Sequence, residues 1–259
     1  MQPLEHIAVT AARAAGNYIM RHLDRADALK VARKGRNDFV SEVDRGAEAE
    51  IVHTIRKAHP DHAILAEEGG ADGKNDWLWI IDPLDGTTNF LHGFPHFAVS
   101  IAAQHKGKLQ LGVIYAPCTQ DLYIAQRGQG AVLNSRKIRV SKTAALEDSL
   151  VGTGVPIRAE TNLDKYLLQL RAVVEKTAGV RRAGSAALDL AYVACGRLDA
   201  FWELNLKSWD MAAGVLLVEE AGGVVSELYG GEDPLASGNV LAANTKMHEQ
   251  LAPLLRAAK

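Results

Sequence analysis

Cysteine is almost missing from this chain. Two residues in 259, Cys118 and Cys195, cannot build the disulfide framework of a small secreted domain, and they lack metal-site spacing. A reducing compartment is expected. Long apolar runs are also missing: none approaches 18 residues, and the first residues alternate charged and apolar types unlike a secretion signal. A soluble cytoplasmic protein with no membrane partner is expected. Neither sign of charge prevails. The net charge is −2 at pH 7 and the basic clusters, Arg33-Lys34 with Arg36 and Arg181-Arg182, are short. Broad polyanion binding and direct DNA binding are therefore not expected. No Pro- or Ser-rich linker and no internal repeat divides the sequence. The nine histidines form no closely spaced ligand pair near the acidic motifs, which leaves zinc without its usual donors. Gly128-Gln129-Gly130 and Gly152-Thr153-Gly154 complete neither a dinucleotide loop nor a P-loop and read as turns. Ser185 lacks a nucleophile-elbow context, and Cys195 reads as a buried thiol in an apolar helical pattern.

What the chain does have is acid at the ends of its elements. Residues 77–81 are apolar, aromatic and β-branched, as in a buried strand, and Pro83 lacks the donor that would continue a ladder. The strand is expected to stop at Asp82, aiming Asp82 and then Asp85 at one region. Gly86 permits a tight turn, and the amides of Gly86, Thr87 and Thr88 are suited to cradle phosphate oxygens. Residues 62–66 read as a short strand that delivers Glu67-Glu68 into a polar loop. Asp210 precedes the apolar run 211–221 and is expected to be a helix N-cap. Each has an ordinary reading, as turn residue, loop entrance or cap. Together these five carboxylates beside a phosphate nest point to metal-assisted phosphate chemistry. Oxygen ligands suit Mg²⁺, and a phosphate monoester dianion needs gathered positive charge before a nucleophile reaches it.

Residues 7–23 and 43–58 carry helical apolar spacing, with a charged connector at 30–37. Runs at 98–104, 109–115, 121–126 and 131–133, with turns at Lys106-Gly107 and Asn134-Ser135, predict an antiparallel sheet. Beyond Ser141 the pattern alternates: strand 150–153, helices 163–177 and 186–196, strand 200–203 and helix 211–221. With 47% hydrophobic residues, a chain of this length lies near the limit where one core divides into two. The expected division is an N-terminal lobe, 1–140, carrying the antiparallel sheet and most metal ligands, and a mixed α/β lobe, 141–259, carrying Asp210 and substrate specificity.

These motifs closely resemble the inositol monophosphatase family, most closely a bacterial branch of it. The resemblance rests on Asp82-Pro83-Leu84-Asp85-Gly86-Thr87-Thr88-Asn89-Phe90, Glu67-Glu68, Trp209-Asp210-Met211-Ala212-Ala213-Gly214 and Glu219 with Ala221-Gly222-Gly223. It also includes residues 37–44, Arg127-Gly128-Gln129-Gly130-Ala131 with Asn134, and residues 184–190, all in the family's order. The resemblance implies a layered α/β/α/β/α sandwich of the inositol monophosphatase and fructose bisphosphatase type, with the active site between the lobes. It implies that Glu67, Asp82 and the Leu84 carbonyl hold one Mg²⁺, and that Asp82, Asp85 and Asp210 hold a second. Thr87 and Asp44 would orient the attacking water, with Glu68 in support and no covalent intermediate. Gly86 and Thr87 would bind phosphate. Gly184, Ser185, Ala186, Glu203 and Asp210 would meet the polyol hydroxyls, with Arg181 approaching the substrate. A third, weak ion would use Lys34 and the loop 69–76, which is shorter than in many relatives, so that site stays open. Li⁺ inhibition and a homodimer are family expectations. The implied reaction is hydrolysis of myo-inositol 1-phosphate. Related phosphatases for fructose 1,6-bisphosphate, histidinol phosphate or a nucleotide 3′-phosphate are the alternatives. Some members of the bacterial branch also join transcription antitermination complexes, a binding role.

Overall fold

A computed structural model describes residues 3–23, 31–35, 38–156 and 163–258, with backbone alone for 31–35 and 38–41. In chain order the elements begin with α1 (Leu4–Leu23), β1 (Val31–Gly35), β2 (Asp38–Ser41), α2 (Glu42–Ala58), β3 (Ala63–Ala66), β4 (Gly70–Asp72), β5 (Trp77–Asp85) and α3 (Thr87–Leu91). There follow β6 (Ala98–His105), β7 (Lys108–Ala116), β8 (Asp121–Gln126), β9 (Gly130–Leu133), β10 (Arg136–Lys137), β11 (Leu150–Thr153) and α4 (Leu163–Val174). The chain continues through β12 (Gly179–Arg181), α5 (Ala186–Ala194), β13 (Ala200–Glu203), α6 (Ser208–Glu220), β14 (Val224–Glu227), α7 (Pro234–Ser237), β15 (Val240–Ala243) and α8 (Thr245–Ala257).

Five layers result, as the resemblance implies. α1 buries Ile7, Ala8, Ala11, Ala12, Ala15 and Ile19, and α2 buries Val43, Ala47, Ile51 and Ile55, each set spaced by three or four residues. These stripes cover one face of an eight-stranded sheet of order β10-β9-β8-β7-β6-β5-β3-β4. On its other face lie α5 and α6, which also cover a five-stranded sheet of order β12-β11-β13-β15-β14. α4 and α8 close the far side. Alternation along each strand divides the three cores. Ile80 and Ala102 turn to the middle helices, whereas Trp79, Ile81 and Ile101 turn to the outer pair. Phe201 and Ala242 turn inward while Trp202 and Leu241 turn to α8. Close approach is built in: a Cβ on Gly112 of β7 would lie 2.7 Å from the Ala213 carbonyl oxygen of α6.

Three expectations need correction. β5 does not end at Asp82. The ladder to β6 pairs Asp82 with Ser100, shifts register, and resumes at Asp85 opposite Ala98. Pro83 is thus accommodated in an irregularity, where its missing N–H breaks no ladder bond. Part of the charged connector at 30–37 is the strand β1, paired antiparallel with β2. Lys30, Arg36 and Asn37 lie outside the described residues, as do the side chains of Arg33 and Lys34. Gly152-Thr153 is no turn but the end of β11, paired with Arg181 on one side and with Phe201 and Trp202 on the other.

Candidate active site

β3 and β5 run parallel with Ala66 opposite Ile81, so Glu67, just past the end of β3, emerges beside Asp82, where the β5–β6 ladder shifts register. That edge is where α/β sheets form ligand crevices. The Glu67 amide still donates to the Ile81 carbonyl at 3.2 Å. Because Ile80 faces the middle helices and Ile81 the outer ones, the two-residue period turns Asp82 toward the middle layer. α6 begins there. Ser100, opposite Asp82, donates through Oγ to the Trp209 carbonyl at 3.3 Å and fastens the helix start to β6. Asp210 arrives in that first turn, but not at the N-cap the sequence suggested. Lys207 is the N-cap, and Asp210 at N3 accepts the Lys207 N–H at 2.6 Å, so the helix starts earlier than the apolar run.

Acid is crowded here. Asp82 is 1% exposed and accepts the Leu84 N–H at 3.0 Å. Burial first, then the charges of Glu67, Asp85 and Asp210, push its pKa well above the carboxylate range. Burial also raises Asp85, to about 6, against the lowering hydrogen bonds from the Ser185 hydroxyl and the Ala187 N–H, with Glu67 adding repulsion. Those two bonds are 2.6 and 2.7 Å long and both reach Oδ2. Ser185 also accepts the Leu188 N–H as the N-cap of α5. Hence Ser185 and Ala186 stand at the start of a helix that fixes Asp85 from the far half of the chain.

Between the two halves lies a cleft of about 640 Å³ lined in part by Glu67, Asp82, Asp85, Thr87, Glu203 and Asp210. Leu84, Gly86 and Gly184 also line it. Gly86 has φ 98°, and a Cβ there would lie 3.0 Å from the His96 carbonyl oxygen and 3.3 Å from that of Gly184. Only glycine fits both the dihedral and the space. Thr87 Oγ1 lies 2.8 Å from Asp44 Oδ1 and 3.1 Å from the Leu84 carbonyl oxygen. Asp44, 1% exposed, therefore acts on the cleft through Thr87. One turn further along α2, Glu48 accepts the Glu68 N–H at 2.9 Å. A single face of α2 thus holds both acidic loops, and Glu48 is a residue that sequence reading missed, since a mid-helix acid usually means a solvated face. Asn89 was also missed as a contact residue. Its Nδ2 donates to the His96 and Ala183 carbonyls at 2.7 and 2.9 Å, tying the Gly86 turn to the Gly184 loop.

Not every expected residue reaches the cleft. Glu68, Ser185 and Ala186 do not line it, and Arg181 is exposed, with its Nη1 on the Val180 carbonyl at 3.1 Å. Arg182 is the cleft-lining arginine. Cys118 and Cys195 are free thiols whose pKa values burial raises, in keeping with structural roles.

The donor set fits Mg²⁺ better than a softer ion. Among the described residues no three His, Cys, Asp or Glu side chains form a ready group for one metal ion, yet Asp82 feels three other carboxylates. Both facts hold, because charge acts over longer distances than coordination. Mg²⁺ keeps several waters and takes one or two carboxylates plus substrate phosphate, not an all-protein cage. A divalent cation would offset the burial and the neighbouring charges that raise the Asp82 pKa.

Comparison with known proteins agrees with this geometry. The family model described as "Inositol monophosphatase family" matches residues 1–259. The chain is 54% identical to "Nus factor SuhB" of Pseudomonas aeruginosa over 257 residues, covering 97% of this chain and 95% of that protein. It matches the crystal structure of the extragenic suppressor protein suhB from Bartonella henselae with a TM-score of 0.96 and 45% identity, covering 99% of each chain. Against an inositol monophosphatase from Anabaena the TM-score is 0.85 at 40% identity, over 98% of this chain and 95% of that one. The fold that carries this site is thus shared with solved relatives, and the chain belongs to the inositol monophosphatase family.

Proposed function

We propose that this protein is a Mg²⁺-dependent phosphomonoester hydrolase whose substrates are myo-inositol 1-phosphate and similar sugar or polyol phosphates. The observation that carries the reading is the convergence of Glu67, Asp85 and Asp210 on the buried Asp82 beside the Gly86 turn. Glu67, Asp82 and the Leu84 carbonyl would hold one ion, and Asp82, Asp85 and Asp210 a second. When bound, the ions supply Lewis-acid charge to the phosphoryl group, the nucleophile and the leaving oxygen.

The chain's own residues do the rest. Gly86 and Thr87 turn their amides to the phosphate, in a wall too tight for a side chain. Thr87 offers its proton to the Asp44 carboxylate, which leaves a hydroxyl lone pair to accept from the attacking water and orient it. Glu68 supports the neighbouring Glu67 through a backbone pinned by Glu48. At the other end Gly184 and Glu203 meet the substrate hydroxyls, with Ser185 and Ala186 framing Asp85 behind them. Arg182 is the cation at that wall, with Arg181 beside it in sequence but pointing to solvent. Li⁺ would compete at the second ion's ligands, and Lys34 would belong to any third site.

Initial rates on a panel of myo-inositol 1-phosphate, fructose 1,6-bisphosphate, histidinol phosphate and a nucleotide 3′-phosphate test the substrate class. A preference for any of the last three, with no inositol 1-phosphate hydrolysis, would replace it. A second reading has its own support, because the Pseudomonas relative is named a Nus factor. On that reading a cytoplasmic homodimer serves transcription antitermination through its surface. Capture of the same partners by wild type and by Asp82→Asn would assign that role to a surface separate from the metal site.

A further inference from the structure

One glycine behind the cleft wall has no part in the proposed reaction. Gly154 follows β11, and because Thr153 pairs with Trp202 in the parallel ladder to β13, it lies beside Glu203. Phe201 faces the middle helices and Trp202 faces α8, so the two-residue period turns Glu203, with Gly154 beside it, to the middle layer where the cleft opens. Gly154 is buried and does not line the cleft, whereas Val155, Pro156 and Glu203 do. A Cβ on Gly154 would fall within the Glu203 carboxylate, and its three nearest atoms would be Glu203 Cδ and both carboxylate oxygens. That carboxylate thus occupies the place a side chain at 154 would take. The backbone does not demand glycine here, since its φ is not positive. Gly152, two residues back on the same face, makes room for something else. A Cβ there would meet Leu198 at 2.8 Å, Phe201 at 3.3 Å and the buried acid Asp189 at 3.6 Å. One glycine admits the core, and the other admits an acid of the cleft.

We propose that Gly154 is a positioning residue for specificity: lacking a side chain, it seats the Glu203 carboxylate at the depth in the wall from which Glu203 meets the substrate hydroxyls. The inference rests on the polyol phosphate reading given above, in which Glu203 accepts from those hydroxyls. The strand end has no freedom to retreat from a larger residue. β11 is paired on both sides, with Gly152 opposite Arg181 and Phe201, and the Thr153 side chain is bonded to Tyr166 of α4 behind it. Alanine at 154 therefore moves the flexible end of Glu203, which must withdraw by about 1 Å or more to reach van der Waals distance. A hydrogen bond to the substrate does not survive such a shift unchanged. Glu67, Asp82 and the Gly86 turn belong to the other sheet and are not touched.

The test compares KM in saturating Mg²⁺ for myo-inositol 1-phosphate with KM for 4-nitrophenyl phosphate, whose leaving group carries no polyol hydroxyls. Gly154→Ala should raise the ratio of the first to the second about tenfold, with little change in Tm. Gly152→Ala is the control: it crowds the core and should lower Tm while the ratio stays within about twofold. On a Glu203→Ala background no carboxylate remains to displace, and adding Gly154→Ala should alter the ratio by less than about twofold. The same double variant keeps the test available if Gly154→Ala does not fold, because removing the carboxylate should then restore folding. An unchanged ratio in folded Gly154→Ala would overturn the inference. So would the full tenfold rise on the Glu203→Ala background, a rise as large in Gly152→Ala, or a double variant that still does not fold. If the wild type hydrolyses neither ester, the phosphatase reading falls and takes this inference with it. A wild-type ratio in Glu203→Ala removes the hydroxyl contact and the inference but leaves the hydrolase, and wild-type hydrolysis with an unchanged ratio in Gly154→Ala alone removes only the inference.

Discussion

Replacing Gly86 by alanine separates space from backbone strain at the turn proposed to bind phosphate. The residue sits at φ 98°, with the His96 carbonyl oxygen, Phe97 Cβ and the Gly184 carbonyl oxygen at 3.0, 3.2 and 3.3 Å from an added Cβ. A left-handed alanine costs about 1–2 kcal/mol, and overpacking against three neighbours about 1–3 kcal/mol more. The sum of about 2–5 kcal/mol is within the stability of a folded domain, so the variant should fold, with Tm lowered by about 4–20 °C. Because relief requires the turn to move, a displacement near 1 Å at the Gly86 and Thr87 amides should lower kcat/KM about a hundredfold. Gly93→Ala is the control. Its φ is 65°, but nothing lies within 4 Å of the added Cβ, so about 1–2 kcal/mol of strain is expected, with activity preserved. Thermal unfolding and initial rates on both variants read the two effects. If Gly86→Ala matched Gly93→Ala in Tm and in rate, the crowding at the turn would constrain nothing and the reasoning would fail.

Other outcomes follow from the same contacts. Thr87→Val removes the hydroxyl that bonds Asp44 at 2.8 Å, and kcat should fall about a hundredfold with KM little changed; near-normal kcat would remove Thr87 from the water-orienting role. Asn89→Leu leaves the His96 and Ala183 carbonyls without their donor, which should cost about 2–6 kcal/mol in urea unfolding; a loss below the lower figure would mean that other donors replace it. Glu227 gives a pH dependence. Burial would raise its pKa, but bonds from the Gly231 and Tyr229 amides and from Asn239 and Ser237 outweigh this and hold it below 4.5. A depressed folded-state pKa stabilises above the unfolded value and is lost as pH falls through the folded one. Glu227→Gln should therefore be less stable than wild type at pH 7, with the gap shrinking below about pH 4.5; a gap that stayed constant in acid would refute that assignment.

Much of this arrangement is legible in the sequence, and the exceptions have physical causes. The stripes of α1 and α2 and the hairpins from β6 to β9 declare themselves through period and turn chemistry. Lys106-Gly107 and Asn134-Ser135 all take positive φ, as tight hairpin turns require. β12, β14, β15 and α8 went unread, the first three because strands of three or four residues carry too little alternation to stand out. Arg181 is the last residue of β12 and Arg182 lies just beyond it, and it is Arg182 that lines the cleft. Carboxylates at strand ends were recognisable because turns and glycines flank them. Glu48 and Asp189 were not, since a helical acid carries no sign of burial until the layer opposite it is known.

The most direct measurement is phosphate release from myo-inositol 1-phosphate across a Mg²⁺ titration, with wild type and Asp82→Asn side by side. The account predicts wild-type hydrolysis that saturates with Mg²⁺ and stops with chelator. Asp82→Asn should release no phosphate yet unfold no earlier than metal-free wild type, because it removes a buried charge repelled by Glu67, Asp85 and Asp210. Hydrolysis independent of Mg²⁺, or near-normal release by a folded Asp82→Asn, would contradict it.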